Sequence, residues 1–292
     1  MVVVEAYSSA VARVNPVVLV LIAIASVQFG AAVAKGIFTA AHPATLSFLR
    51  VTIATTVFLV IARPRWSGRT LRDWLLVLGY GLCLAGMNLA IYLSFARIPI
   101  GVAVTLEFVG PLALAVIGSR RLIDLGWVLL AAMGVGLLGA LPIGLDPVGV
   151  ALALLAGAMW AGYIALAGPM GRRWEGLSGL TTGSLLGFVI LAVPGLLLAG
   201  DSLGRSSVWA TMALVALLST VIPYGLELHA RRSIKASTFG ILMSIEPAAA
   251  AIFAWLVLGE WLGWVEWLAM ALVITASVGA VRGAHVTRRP AG

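Results

Sequence analysis

One cysteine, three histidines and eleven acidic residues in a chain of 292 leave little material for several kinds of chemistry. Cys83 lies alone in an apolar run, so no intrachain disulfide can form, and a metal site of clustered Cys and His has no support. The chain has no Walker-type phosphate loop, no HExxH zinc motif and no GxSxG nucleophile elbow, so ATP-driven work by this chain alone lacks its machinery. A membrane-embedded transferase of the isoprenoid kind would need clustered aspartates to hold magnesium and diphosphate. Asp73, Asp124, Asp146 and Asp201 are isolated from one another and near loops. No cofactor is called for.

What is present is apolar. The chain is 62% hydrophobic and 10% charged, with a mean hydropathy of +1.10, far from the composition of a soluble domain. An all-α integral membrane protein is the expectation. The formal charge of +8 does not point to nucleic acid, because the arginines fall in short clusters between apolar runs and not along one polar face. Lipid is the expected surrounding.

After a lead over 1–15, spans are expected at about 16–34, 43–62, 74–95, 100–119 and 123–142, then 147–168, 178–199, 208–230, 236–259 and 262–281. Ala32-Val33-Ala34 mimics a signal-peptidase site. The first apolar run is longer than a signal core and has a copy in the second half, so it is read as a retained helix. With the N-terminus in the cytoplasm, fifteen of the nineteen Lys and Arg fall on inside segments: Arg13, Arg63, Arg65, Arg69, Arg72, Arg120, Arg121, Arg172, Arg173, Arg231, Arg232, Lys235, Arg282, Arg288 and Arg289. Only Lys35, Arg97 and Arg205 lie outside, and Arg50 is within the membrane. That bias is the positive-inside pattern, and it puts both termini in the cytoplasm.

The halves look like copies. Asn15-Pro16-Val17 recurs as Asp146-Pro147-Val148, and Ser26, Gly30 and Ala34 map onto Gly157, Ala161 and Ala165, a small-xxx-small seam that allows close helix approach. Further on, Pro111 aligns with Pro247 and Glu107 with Met243. Five helices per copy is an odd number, so a first repeat at 16–142 and a second at 147–282 must insert with opposite orientations, leaving a tail over 283–292.

Glu246 is placed about 15 Å of helix inside a membrane-length segment and is followed by Pro247. A charge at that depth costs about 3 kcal/mol or more, so it should face a bundle interior or a wet cavity. Pro247 also removes a donor from the Met243 carbonyl, and such breaks line cavities. The plainer alternative is a kinked helix whose glutamate only bridges to a neighbour. Glu107 sits in the equivalent span, and Arg50, at similar depth, is expected to pair with it. Tyr92, Trp160, Tyr163 and Tyr224, with Gln28 and Asn88, are the other polar or aromatic groups at membrane depth. Glu227 and His229 are near a helix end, where side chains reach water easily, and carry less weight. Trp209, Trp261, Trp264 and Trp267 read as interface anchors.

The stretches Ile98 to Val116, Ser219 to Leu228 and Thr238 to Ala251, with Leu258-Gly259-Glu260, resemble the threonine/homoserine exporter branch of the EamA family, in the drug/metabolite transporter superfamily. That resemblance implies a ten-helix inner-membrane transporter exporting small amino acids by alternating access. Proton antiport through Glu246 is the expected drive, so the partners are a small-molecule substrate, protons and the bilayer. The copies depart at Ser119-Arg120-Arg121, opposite the Gly259-Glu260 pair, and at Lys235, opposite Pro99. A broader metabolite or drug exporter is the alternative within transport, and a membrane-embedded enzyme or non-transporting membrane protein the alternative outside it.

Overall fold

Helix starts here are written in short polar residues. Asn15 and Asp146 each accept the N–H two residues on, at 2.9 Å from Val17 and 2.8 Å from Val148, with Pro16 and Pro147 as first helical residues. Proline loses nothing there, because the first N–H groups of a helix have no partner in the helix. The computed structural model describes residues 14–62, 64, 66–117, 122–139 and 144–286. Arg13, Arg63, Arg65, Ser119, Arg120, Arg121, Arg288 and Arg289 lie outside them.

The described chain is all-helical. The helices are α1 (Pro16–Gly36), α2 (Pro43–Ala62), α3 (Leu71–Phe95), α4 (Ile100–Ile117), α5 (Leu122–Gly139), α6 (Pro147–Arg173) and α7 (Ser178–Leu197). Then come α8 (Ser206–Ala216, Leu217–Val221 and Ile222–Ser233), α9 (Ala236–Met243 and Glu246–Leu258) and α10 (Trp264–Val286). Among the described residues nine helices are long and apolar enough to cross a membrane, and Ile123–Leu138 is a shorter apolar tenth. This is a multi-pass membrane protein. Several expected limits move: α3 begins at Leu71 because Thr70 and Asp73 form a capping box, and α6, α8 and α10 run on to Arg173, Ser233 and Val286. Trp209, Trp261, Trp264 and Trp267 are all exposed, as anchors in an interface would be.

Packing partners exchange between the halves. α3 packs on α6 as α8 packs on α1, α4 on α6 as α9 on α1, and α3 on α7 as α8 on α2, while α2–α7, α4–α9 and α5–α10 pair across the halves. The small residues make the closest of these approaches possible. Gly30 faces Leu218 and Ser219 of α8, and Gly157 lies on the Glu107 backbone of α4 with Gly110 opposite.

The two ends of the bundle differ. Toward the end where α1 finishes, the Lys35 end, buried side chains from Leu46, Phe95, Ile100, Leu106, Leu191, Met212 and Ala254 belong to one continuous core. Toward the opposite, Arg231 end, the core divides into three separate clusters, around Val20 and Leu226, around Phe58 and Trp174, and around Leu112 and Ala276. The Lys35 end is also tied by polar contacts. Gly259, at φ 70°, ends α9 in the left-handed conformation that glycine adopts without strain, and the Glu260 N–H then closes back on the Ala254 carbonyl at 3.2 Å. That turn delivers Glu260 between two other helices. Its Oε1 meets Lys35 Nζ at 2.5 Å and its Oε2 accepts the Ile100 N–H at 2.9 Å, while Lys35 also donates to the Ile98 carbonyl at 3.0 Å. One carboxylate thus joins α1, α4 and α9.

Candidate functional site

Two prolines prepare the site by what they withhold. Pro111 gives no N–H to the Glu107 carbonyl and Pro247 none to that of Met243, the same break at equivalent places in α4 and α9. In α4 the regular helix lapses at Phe108, immediately after Glu107; in α9 it lapses at Ser244 and Ile245, immediately before Glu246. Both carboxylates therefore stand at a helix interruption. A third irregularity lies in α8, where Leu217–Val221 forms a π turn upstream of Pro223. Such turns are frequent at functional sites. This one carries Ser219 and Thr220 toward α1 and α2: Ser219 Oγ donates to the Val27 carbonyl at 3.3 Å and Thr220 Oγ1 accepts from Arg50 Nε at 3.3 Å.

These elements enclose a cavity of about 240 Å³. Glu107, Glu246, Arg50, Trp160, Tyr163 and Tyr224 all line it, so six of the seven residues singled out in the sequence converge from α2, α4, α6, α8 and α9. Gln28 and Asn88 line it as well. Glu246 is buried, at 8% exposure, and Glu107 is half-buried. Neither carboxylate makes a hydrogen bond or ion pair among the described residues. Tyr92 does not line the cavity. It is buried behind Arg50, with its ring centroid 5.6 Å from the guanidinium carbon and its hydroxyl without a hydrogen-bond partner among the described residues.

Two expectations need correction. Arg50 and Glu107 share the cavity, yet no ion pair within 4.0 Å joins them: the guanidinium is taken up by Thr220 and the face of Tyr92. Matching depth fixed one coordinate of each side chain and left its direction around the helix open. Glu227, given less weight as a helix-end group, is in fact at the cavity together with Arg231, which the sequence placed only in a cytoplasmic basic cluster, and the two are closed on each other at 3.1 Å. Thr220 and Ser219 were missed altogether; the available signal was the Ser-Thr pair just upstream of Pro223 in the resembling stretch.

The cavity thus holds a closed pair, Glu227 with Arg231, and an open set, Arg50 with Glu107 and Glu246. An apolar cleft of about 430 Å³ adjoins it toward the Arg231 end, sharing Trp160, Tyr163, Arg231 and Met243 and walled by Phe108, Leu112, Phe239 and Val281. The aromatic walls are ordered by their own contacts. Trp160 stands edge-on to Phe108 at 4.9 Å between centroids, Tyr163 lies 4.7 Å from Tyr80, and Tyr224 tilts on Phe58 at 5.6 Å. Among the described residues no group of three His, Cys, Asp or Glu is placed to hold a metal ion.

Charged groups around a cavity at membrane depth, between helices broken at equivalent places in two halves, define the site of a membrane transporter. Residues 147–282 match the EamA-like transporter family, and over 271 residues the chain is 41% identical to the threonine/homoserine exporters RhtA of Escherichia coli (strain K12) and Salmonella typhimurium (strain LT2), covering 91% of this chain and 90% of each relative. The chain belongs to the EamA-like transporter family. A solved crystal structure superposes with a TM-score of 0.64 at 17% identity, over 94% of this chain and 99% of its own, which shows a shared fold.

Proposed function

We propose that this protein is a secondary exporter of small amino acids such as threonine or homoserine, working by proton antiport, and that it is built as two inverted five-helix repeats over 16–142 and 147–282 with both termini in the cytoplasm. The exchange of packing partners between the halves and the matching proline breaks support the repeat. The bacterial relatives support the inner membrane as the setting, and the bias of basic residues toward one side supports an orientation with the Arg231 end at the cytoplasm.

The observation that carries this reading is the open set of charges: two carboxylates without partners, facing one cavity with an arginine. A buried carboxylate is stabilised by being neutralised, and either a proton or the ammonium of an amino acid can do so. Both cannot occupy it together. Glu246 is the group so placed, buried at the break in α9, and the Met243 carbonyl freed by Pro247 offers the ammonium a second acceptor. A protein that changes access only when Glu246 is neutral then exchanges one species for the other. The volume favours small cargo, since sites for drug-sized molecules run to about 300–1,000 Å³. The adjoining cleft is the one feature that favours a broader metabolite or drug exporter. Growth protection against homoserine, set beside protection against lipophilic cations, separates the two.

The test is uptake of labelled threonine or homoserine into inverted vesicles with and without a proton gradient. Wild-type protein accumulates substrate only with the gradient. Glu246→Gln retains the shape of the side chain but has no titratable proton, and is expected to lose gradient-dependent accumulation. Accumulation by Glu246→Gln at the wild-type level removes Glu246 from the coupling role.

A further inference from the structure

Arg50 has no ion-pair partner among the described residues. It projects into the cavity from α2, and its guanidinium carries five donors, of which the described structure occupies one, Nε, with the Thr220 hydroxyl. The Arg50 guanidinium carbon lies over the Tyr92 ring, 5.6 Å from its centroid. With Nε taken by a hydroxyl, the terminal fork of N–H groups has no hydrogen-bond partner among the described residues, and such a fork can receive a carboxylate through two parallel hydrogen bonds. Glu107 shares the cavity and leaves the fork unpaired, whereas Arg231, the other arginine of the cavity, is already closed on Glu227. An arginine at membrane depth is retained only with compensation, and among the described residues Arg50 has one hydroxyl and one aromatic ring but no ion pair.

We infer that Arg50 is the receptor for the substrate's carboxylate, so that the cavity selects small zwitterions carrying both a free carboxylate and a free ammonium and rejects simple cations. This rests on the exporter reading and deepens it. The carboxylate is taken by Arg50 on one wall, and the ammonium by Glu246 or Glu107 on the other. A lipophilic cation or an amino-acid amide can meet Glu246 or Glu107 but brings no carboxylate to Arg50, whose charge then repels it. Thr220 and Tyr92 are positioning residues: they touch the guanidinium and fix the direction of its fork.

The experiment pairs two measurements on purified full-length protein. Binding of L-threonine and of L-threoninamide, which keeps the ammonium and lacks the carboxylate, is followed by the fluorescence of Trp160 in the cavity wall, with a Trp160→Phe variant identifying the signal. Counterflow of labelled threonine in proteoliposomes is measured with either compound as competitor. Threonine is expected to bind and compete, and threoninamide to be weaker by about 10- to 100-fold, the value of one charge-assisted contact. Arg50→Gln should raise the KM for threonine by a similar factor and abolish the discrimination, with Arg50→Lys restoring part of it. Thr220→Val and Tyr92→Leu should raise KM more than they lower the maximal rate, a split that general loss of folding does not produce. Equal competition by threoninamide in the wild type, or an unchanged KM in Arg50→Gln, overturns the assignment. Discriminating binding without counterflow overturns the exporter reading and leaves Arg50 in place; no threonine binding overturns both.

Discussion

Replacing Glu260 by glutamine changes one atom at the node that joins α1, α4 and α9. The amide oxygen can still accept the Ile100 N–H, but the ion pair with Lys35 is lost. Both side chains are about four-fifths withdrawn from solvent, at 18% and 20% exposure, so the pair is screened less than a surface pair. A charge-assisted hydrogen bond contributes about 1.5–3 kcal/mol. Lys35 keeps the Ile98 carbonyl, so the lower part of that range applies, about 1.5–2 kcal/mol. If the node holds the Lys35 end shut, Glu260→Gln shifts the ratio of shut to open molecules by roughly 10- to 30-fold. Nitroxide labels at Thr39, in the turn after α1, and at Trp261, after α9, report the separation by pulsed electron–electron resonance on a Cys83→Ala background. Both label positions are exposed. The variant should gain a longer-distance population, and once Glu260 has been changed Lys35→Met should add only the loss of the Ile98 carbonyl contact, less than it costs in the wild type. Identical distance distributions in wild type and Glu260→Gln, with and without threonine, would refute the claim that this node controls opening.

Other consequences can be checked separately. A methyl group at Gly157 meets the Glu107 carbonyl of α4, a backbone atom that cannot swing aside, so Gly157→Ala is expected to cost about 1–3 kcal/mol in detergent melting and to impair transport; at Gly86 the neighbour is the flexible Met159 side chain, and Gly86→Ala should be tolerated. Asp146 caps α6 outside the membrane span, and the Arg97 guanidinium, helped by the Val148 N–H, holds its carboxyl below the usual carboxylate range. Its folded value is the depressed one, so the stabilisation is present above the unfolded value of about 3.9 and is lost as pH falls through the folded value. Melting followed from pH 6 downward should therefore show a smaller acid loss for Asp146→Asn, which keeps the capping oxygen, than for wild type. An equal loss would mean that the Arg97 pair contributes nothing.

Sequence made the site legible where chemistry and burial conflict. Glu246, Glu107 and Arg50 are costly at membrane depth whatever the fold, and six of the residues singled out on such grounds do meet in one cavity. The proline positions marked the breaks in α4 and α9, and the Asn15 and Asp146 caps marked the starts of α1 and α6. Direction around a helix was not legible. The π turn at Leu217–Val221 changes the angular count along α8, so regular periodicity could not place Thr220 on Arg50 or bring Glu227 and Arg231 to the cavity. Nor could the node be read. Lys35 and Glu260 belong to opposite halves and meet only because α9 packs on α1, a partnership that local sequence does not encode.

The unequal ends of the bundle bear on the traffic the protein can carry. A repeat with perfect copies would have two access states of equal free energy, and each face of the membrane would see a vacant site half of the time. Here one end is closed by a continuous core and a charged node, and under the proposed repeat the first half has Arg120 and Arg121 where that node has its glutamate. The resting states are then unequal, with the vacant site turned to the cytoplasm in the proposed orientation. Ligand arriving from outside must first wait for the rare state, and its apparent affinity falls by the fraction of time that state exists. With a bias of about thirty to one, external amino acid binds about thirty-fold more weakly than its contacts alone would give. Cytoplasmic amino acid meets almost no such penalty. The proton gradient would still set the equilibrium, but the asymmetry would let the carrier ignore the very molecules it has just expelled.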